Sequence, residues 1–252
     1  MDIDGLCDLA PLETFDPEAF KSEDPDEQDA CTFVLALAIA FNDLSDRLWA
    51  YAMLKTCRDH VPVGPTSRSG DIGGKHFHVV KLLYSCFSEI AELIAKHPKV
   101  QDHSVFKEAV RLMKKDNREH WNALVDFSNS KASGPKSPLM QALLRVRNKV
   151  SNHYSDLKYI NRGYRRFFED ASVPGRDDAF ISRGKAMQDT RFFFADAAVQ
   201  GCFETLTELG TKEEIADKLS DLTRVVNMAI YNLIERFVEA RGFHWRRIKD
   251  IQ

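Results

Sequence analysis

Residues 27–60 read EQDACTFVLALAIAFNDLSDRLWAYAMLKTCRDH. Within this stretch Val34, Leu37, Phe41, Leu44, Leu48 and Tyr51 recur at steps of three and four. At 3.6 residues per turn that spacing gathers them on one face and predicts an amphipathic helix. Asn42, Asp43, Asp46 and Arg47 fall on the other side, and Pro62, Gly64 and Pro65 end the segment.

The same period recurs downstream. It predicts helices over about 76–97, 104–127, 138–168, 190–209 and 211–241, separated by short loops. Pro138 is well placed to open the fourth, because proline tolerates the first helical turn. The stretch 62–75 holds Gly64, Gly70, Gly73 and Gly74 with Ser67 and Ser69, and reads as a loop. Its Gly73-Gly74-Lys75 lacks the GxxxxGK[ST] pattern of a phosphate loop, since His76 follows the lysine. Only 12 glycines and 9 prolines punctuate 252 residues, too few for a chain of many short strands. The expectation is an all-α fold, an antiparallel bundle of about six helices.

Charge is unevenly spread. Residues 1–29 hold eleven Asp or Glu and one Lys, a net −10. Residues 30–252 hold 34 Lys or Arg and 27 Asp or Glu, a net +7. With Pro11, Pro17 and Pro25 among the acids, residues 1–29 read as an acidic, flexible arm and 30–252 as a single helical domain. A basic body points to anionic partners. The longest apolar run, Phe33 to Phe41, is half of what a bilayer crossing needs. The acidic start lacks the basic region of a secretory leader, and five dispersed cysteines without a CxxC suit a reducing compartment. A cytoplasmic protein without a membrane contact is expected. No HExxH or ExxH pattern indicates a metal, and no cofactor is expected.

Residues 143–157 read LLRVRNKVSNHYSDL. The apolar seam runs through Leu143, Val150, Tyr154, Leu157, Tyr164 and Phe168, and the position that completes it between Leu143 and Val150 is Arg147. A guanidinium on a packed seam is costly unless it is paired or meets an anion. His153 follows six residues later, roughly 120° around the axis and about 9 Å along it. Asn148 and Asn152 are positioned to hold a ring or a substrate by hydrogen bonds. Two readings stand: Arg147 and His153 act on a phosphodiester, or Arg147 forms a buried ion pair with Asp43 or Asp46 of the first helix.

This stretch resembles the signature of the HEPN family, helical domains of prokaryotic toxins and defence ribonucleases. In that signature an arginine, often followed by Asn, precedes a histidine by four to six residues. Arg147-Asn148 and His153 match it with five residues between, and Tyr154 follows. The resemblance implies a HEPN-like bundle and a metal-independent endoribonuclease of the toxin or phage-defence kind. It further implies a homodimer whose two Arg147 and two His153 line one cleft, and an antitoxin or regulatory partner. Histidine titrates near neutral pH and can move the proton of a ribose 2′-OH, while arginine matches the charge of the scissile phosphate.

The surroundings suit RNA. Residues 136–170 hold Lys136, Arg145, Arg147, Lys149, Lys158, Arg162, Arg165 and Arg166 against three acidic residues, with Tyr159, Tyr164 and Phe167 interleaved. Basic groups grip backbone phosphates and aromatic rings stack on bases. Arg145, Lys149, Lys158 and Arg162 are the expected RNA contacts. The competing reading is a non-catalytic helical module that binds RNA or a protein through the same surface.

Overall fold

The computed structural model describes residues 13–61, 66–130, 137–148, 157–169, 178–187, 190–206 and 212–247. Of these, 81% are helical, in nine α-helices. They are α1 (Pro25–Asp59), α2 (Ser67–Lys96), α3 (Pro98–Gln101), α4 (Ser104–Leu112), α5 (Lys115–Asn129), α6 (Pro138–Val146), α7 (Leu157–Phe168), α8 (Phe193–Glu204) and α9 (Lys212–Ala240). Two two-residue strands, β1 (Glu13–Thr14) and β2 (Arg246–Arg247), pair antiparallel, Glu13 opposite Arg247 and Thr14 opposite Arg246. No described helix is long and apolar enough to cross a membrane. None of the described cysteines is in a disulfide.

Three boundaries differ from the sequence reading. Helix α2 begins at Ser67, so the Gly- and Ser-rich stretch read as a loop is helical. Thr66 starts it: its Oγ1 accepts from the Ser69 N–H at 3.1 Å, while the Thr66 N–H donates to Ser69 Oγ at 3.0 Å. That reciprocal pair is a capping box with serine in the place of the usual Glu or Gln. Tertiary packing offsets the helix-weakening glycines, because a Cβ at Gly70 would meet the Phe193 ring at 2.7 Å. The segment read as one helix over 104–127 is α4 and α5, broken where Met113 turns extended (φ −63°, ψ 143°). The spacing Val110, Met113, Asn117, Trp121 is unbroken across the turn, so periodicity alone does not reveal it. The fourth predicted helix appears as α6 and α7.

Contacts divide the chain into two compact units. The first comprises residues 1–43, 89–135 and 218–252, the second 44–88 and 136–217. In the first unit the core is built by Val34 and Leu37 of α1, Ile90 and Ile94 of α2, Phe106, Leu124, and Ile230, Leu233 and Phe237 of α9. Phe33, Phe106 and Trp121 form a chain of rings with centroids 5.7 and 5.6 Å apart. One polar pair is sealed among them: Asn117 Nδ2 donates to Asn232 Oδ1 at 2.6 Å, and Asn232 Nδ2 donates to the Met228 carbonyl at 2.7 Å.

Residues 13–24, expected within the flexible arm, pack on this unit. Phe20 lies 5.8 Å from Phe237 and Phe15 lies 4.7 Å from Trp245, centroid to centroid. Arg241, 9% exposed, pairs with Glu27 and donates to the Lys21 carbonyl at 2.5 Å. A hydrogen bond from Ser22, then one from Arg241, holds the Glu27 carboxyl below its ordinary range. These partners explain why an acidic segment folds back here.

In the second unit α7 and α8 approach at two glycines. A Cβ at Gly201 would fall on the Gly163 carbonyl oxygen, and a Cβ at Gly163 would fall on Cys202 Sγ and the Ala198 carbonyl. Tyr159 then reaches Thr205 Oγ1 at 2.9 Å, and Cys202 Sγ donates to the Tyr159 carbonyl at 3.6 Å. Burial pushes the Cys202 thiol up to about 11, which keeps it an unreactive packing group near pH 7.

Asn117→Leu or Asn232→Leu alone should cost about 1–3 kcal/mol by leaving a buried amide unmatched, while the double Leu variant should recover most of it. Urea denaturation of the four proteins tests this, and additive losses would exclude the pairing. Gly163→Ala and Gly201→Ala should each lose about 1–3 kcal/mol by overpacking. Gly73→Ala, which meets nothing within 4 Å in α2, should instead gain about 0.5–1 kcal/mol. Thermal melts of opposite sign are the expected result.

Candidate functional site

Helix α6 begins at Ser137, whose side chain accepts from the Met140 N–H at 3.2 Å, with Pro138 in the first turn as expected. Leu139, Met140, Leu143 and Val146 are buried along it. At its end the backbone widens to π-helical pitch over Arg147 and Asn148, and the Arg147 N–H points at the carbonyls of Leu143 and Leu144. Arg147 is half-buried and Asn148 exposed. Lys149, Asn152, His153 and Tyr154 lie outside the described residues. Asp43 and Asp46 are exposed on α1.

Helix α7 continues the basic segment. Its inner side carries Gly163 and the half-buried Tyr159, Ile160 and Phe167. Lys158, Arg162, Arg165 and Arg166 are exposed and fall within about 100° of arc at 100° per residue. Arg165 pairs with Glu169 at 2.8 Å. Tyr164 is 38% exposed, about 100° around the helix from Arg165, and lies 4.6 Å from the Phe168 ring. Arg145, expected among the RNA contacts, is half-buried, and its Nη1 lies 3.5 Å from the Thr205 carbonyl at the end of α8. The contact is favourable, because the last carbonyls of a helix attract a cation.

A second cluster escapes the sequence reading. Asp71, Gly74, Lys75, His78 and Lys81 share one side of α2 and face Arg191 and Asp196. Backbone hydrogen bonds in both directions at 2.9 Å bridge Ser182 and Arg191. The Arg191 side chain then donates to Asp196 at 2.8 and 3.1 Å, and Asp71 stands 3.8 Å away. Gly74 leaves room for this pair, since a Cβ there would overlap Arg191 Nη2 and Asp196 Oδ2. Leu54, Gly74, Phe77, Val79 and Val199 complete a half-open cleft of about 440 Å³.

The Lys81 side chain is buried at 7% exposure. Burial lowers its pKa, Asp196 opposes that, and Arg191 adds to it. His78 is also shifted down, first by burial and then by Lys81 and Arg191. A signal for this cluster does exist in the sequence: Phe77, Lys81, Tyr84 and Ser88 step by four, three and four, so a lysine occupies a seam position as Arg147 does. Among the described residues no group of three or more His, Cys, Asp or Glu side chains is arranged for a metal ion.

His76 stacks on Tyr51 at 5.1 Å, and its pKa is lowered first by burial and then by Arg58. The unfolded chain takes up this proton more readily. The contribution of His76 to stability is therefore complete above its ordinary value near 6.5 and is lost as pH falls below it. Urea midpoints between about pH 5 and 7.5 should fall more steeply with acid in the wild type than in His76→Phe.

No family model matches the chain, and no curated protein or solved structure is found to be similar to it.

Proposed function

We propose that the chain is a HEPN-like antiparallel helical protein acting in the cytoplasm as a homodimeric, metal-independent endoribonuclease, with Arg147 and His153 as its catalytic pair. The observation that carries the reading is the exposed stripe of Lys158, Arg162, Arg165 and Arg166 on α7, a few residues after the motif. Such a stripe, with the exposed ring of Tyr164 on the same helix, suits a single strand of RNA, whose phosphates meet the cations and whose bases stack on aromatic rings. Two features of Arg147 add support. It stands at the end of a buried seam, and the widened turn that carries it is a distortion frequent at functional sites.

The proposed chemistry needs no metal. His153 takes the proton of the 2′-OH, the 2′-oxygen attacks the adjacent phosphorus, and the 5′-oxygen leaves with a proton returned to it. Arg147 balances the charge that grows on the phosphate oxygens. Asn148, Asn152 and Tyr154 are the candidates for positioning the ring and the sugar.

The expected outcome is cleavage of single-stranded RNA in EDTA, leaving 2′,3′-cyclic phosphate ends, with DNA untouched for want of a 2′-OH. His153→Ala should lower the rate by about 10²–10⁴. Arg147→Ala should be similarly damaging, its fold checked by circular dichroism. The triple Lys158→Ala, Arg162→Ala, Arg166→Ala variant should weaken RNA binding and make the salt slope shallower by about 1 for each cation removed. Undiminished cleavage by a folded His153→Ala protein would refute the mechanism. Binding through α7 without cleavage would leave a non-catalytic RNA-binding module.

A further inference from the structure

We infer that the seat of residues 13–20 on the first unit is a peptide-docking groove filled by a resident ligand, and that its exchange partner is an acidic segment of another protein with two aromatic side chains five residues apart. Every contact involved lies within the first unit, so the inference is independent of the ribonuclease reading.

The seat is held together by bonds that do not involve its occupant. Helix α9 ends in a Schellman motif: Gly242 takes φ +81°, its N–H donates to the Glu239 carbonyl at 2.9 Å, and the Phe243 N–H donates to the Val238 carbonyl at 3.1 Å. That turn folds the following residues back, and the Trp245 indole N–H fastens them by donating to the Glu235 carbonyl at 3.2 Å. Glu27 of α1 holds the Arg241 guanidinium.

The occupant is equally self-contained. Residues 13–20 read ETFDPEAF. Asp16 caps a turn of 3-10 helix, Pro17–Phe20, by accepting from the Glu18 N–H at 3.0 Å, and Pro17 presets the first residue of that turn. The Ala19 N–H closes it on the Asp16 carbonyl at 3.0 Å. This preformed piece meets the seat through few groups. Phe15 lies 4.7 Å from Trp245 and Phe20 lies 5.8 Å from Phe237. Ala19 is fully buried, and its carbonyl accepts from the Cys31 thiol at 3.9 Å. Arg241 donates to the carbonyls of Glu18 and Lys21 at 3.4 and 2.5 Å, and Glu13–Thr14 pairs with Arg246–Arg247. Edge pairing with aromatic anchors is a way in which folded domains take linear peptides.

Charge identifies the partner. The occupant carries Glu13, Asp16 and Glu18, while the seat carries Arg241, Arg246 and Arg247, with Arg247 3.5 Å from Glu13. A two-residue ladder is marginal by itself, so the two rings carry the docking. The short tether, residues 21–24, keeps the occupant at an effective concentration on the order of millimolar. A free segment of the same pattern therefore meets a closed groove until the resident rings are removed or it adds contacts of its own.

The test is fluorescence anisotropy of a labelled ETFDPEAFKS peptide, the sequence of residues 13–22, titrated with the full chain. Two variants vacate the groove from the occupant's side alone. Phe15→Ala with Phe20→Ala removes both anchors, and Ala19→Glu puts a charge at a position with no exposure. Both should bind the peptide saturably and at least tenfold more tightly than the wild type does. Adding Trp245→Ala to either should weaken binding about tenfold, and a peptide with alanine at both phenylalanine positions should not bind. Circular dichroism checks the fold of each variant. The inference is overturned if neither folded variant binds the peptide, if the wild type binds it as tightly as they do, or if the alanine peptide binds equally well. It is also overturned if the wild type forms a dimer that both variants lose, since a second copy would then be the occupant.

Discussion

The contact between Gly163 and Gly201 brings two helix backbones closer than any side chain would permit, and the second unit is arranged around it. Helix α7 can meet α8 only with its glycine side inward, which fixes the rotation of α7 about its own axis. With that rotation set, Tyr159 reaches Thr205 and the Cys202 thiol reaches the Tyr159 carbonyl. The four basic residues of α7 are turned to solvent by the same choice. A stripe of like charge so close together is tolerable only where water screens it. The packing side therefore decides where the basic surface lies, without any charge–charge contact specifying it.

Cations are held in three different ways in this molecule. Arg241 is nearly enclosed and is held by Glu27 and the Lys21 carbonyl, so its charge ties chain segments together. Arg145 is half-buried and leans on the open carbonyls at the end of α8. Lys81 is buried next to another cation, and burial, more than any neighbouring charge, sets its pKa. The first two arrangements lower the energy of the folded chain by themselves.

Helical character is legible in the sequence because apolar residues recur at three and four over long stretches, as Val34 to Tyr51 and the α9 seam show. Boundaries are less so. The α4–α5 break keeps the seam in register through Met113, leaving no gap in the pattern to detect. The early start of α2 is hidden because glycine's intrinsic preference points to a loop. Gly70 and Gly74 in fact make room for Phe193 and for the Arg191–Asp196 pair, which sit more than a hundred residues away in sequence. The folding back of residues 13–24 depends on Arg241, Phe237 and Trp245, equally remote partners. In the candidate site, Arg147 stands out as a charge in an apolar series. Lys81 meets the same criterion less visibly, because its neighbours Tyr84 and Ser88 make the series look less apolar than it is.

The division of the chain has a consequence for synthesis. The second unit lies wholly within residues 44–217, all of which leave the ribosome before α9 is complete. The first unit needs Ile230, Leu233 and Phe237 to cover the apolar faces of α1, α4 and α5. Until those residues emerge, Val34, Leu37 and Phe106 lack the partners that cover them. Helical segments form within microseconds, but a core closed by contacts some two hundred residues apart must wait for its last partner. The nascent chain thus carries an uncovered apolar surface until α9 follows, and such transient exposure is where folding competes with aggregation.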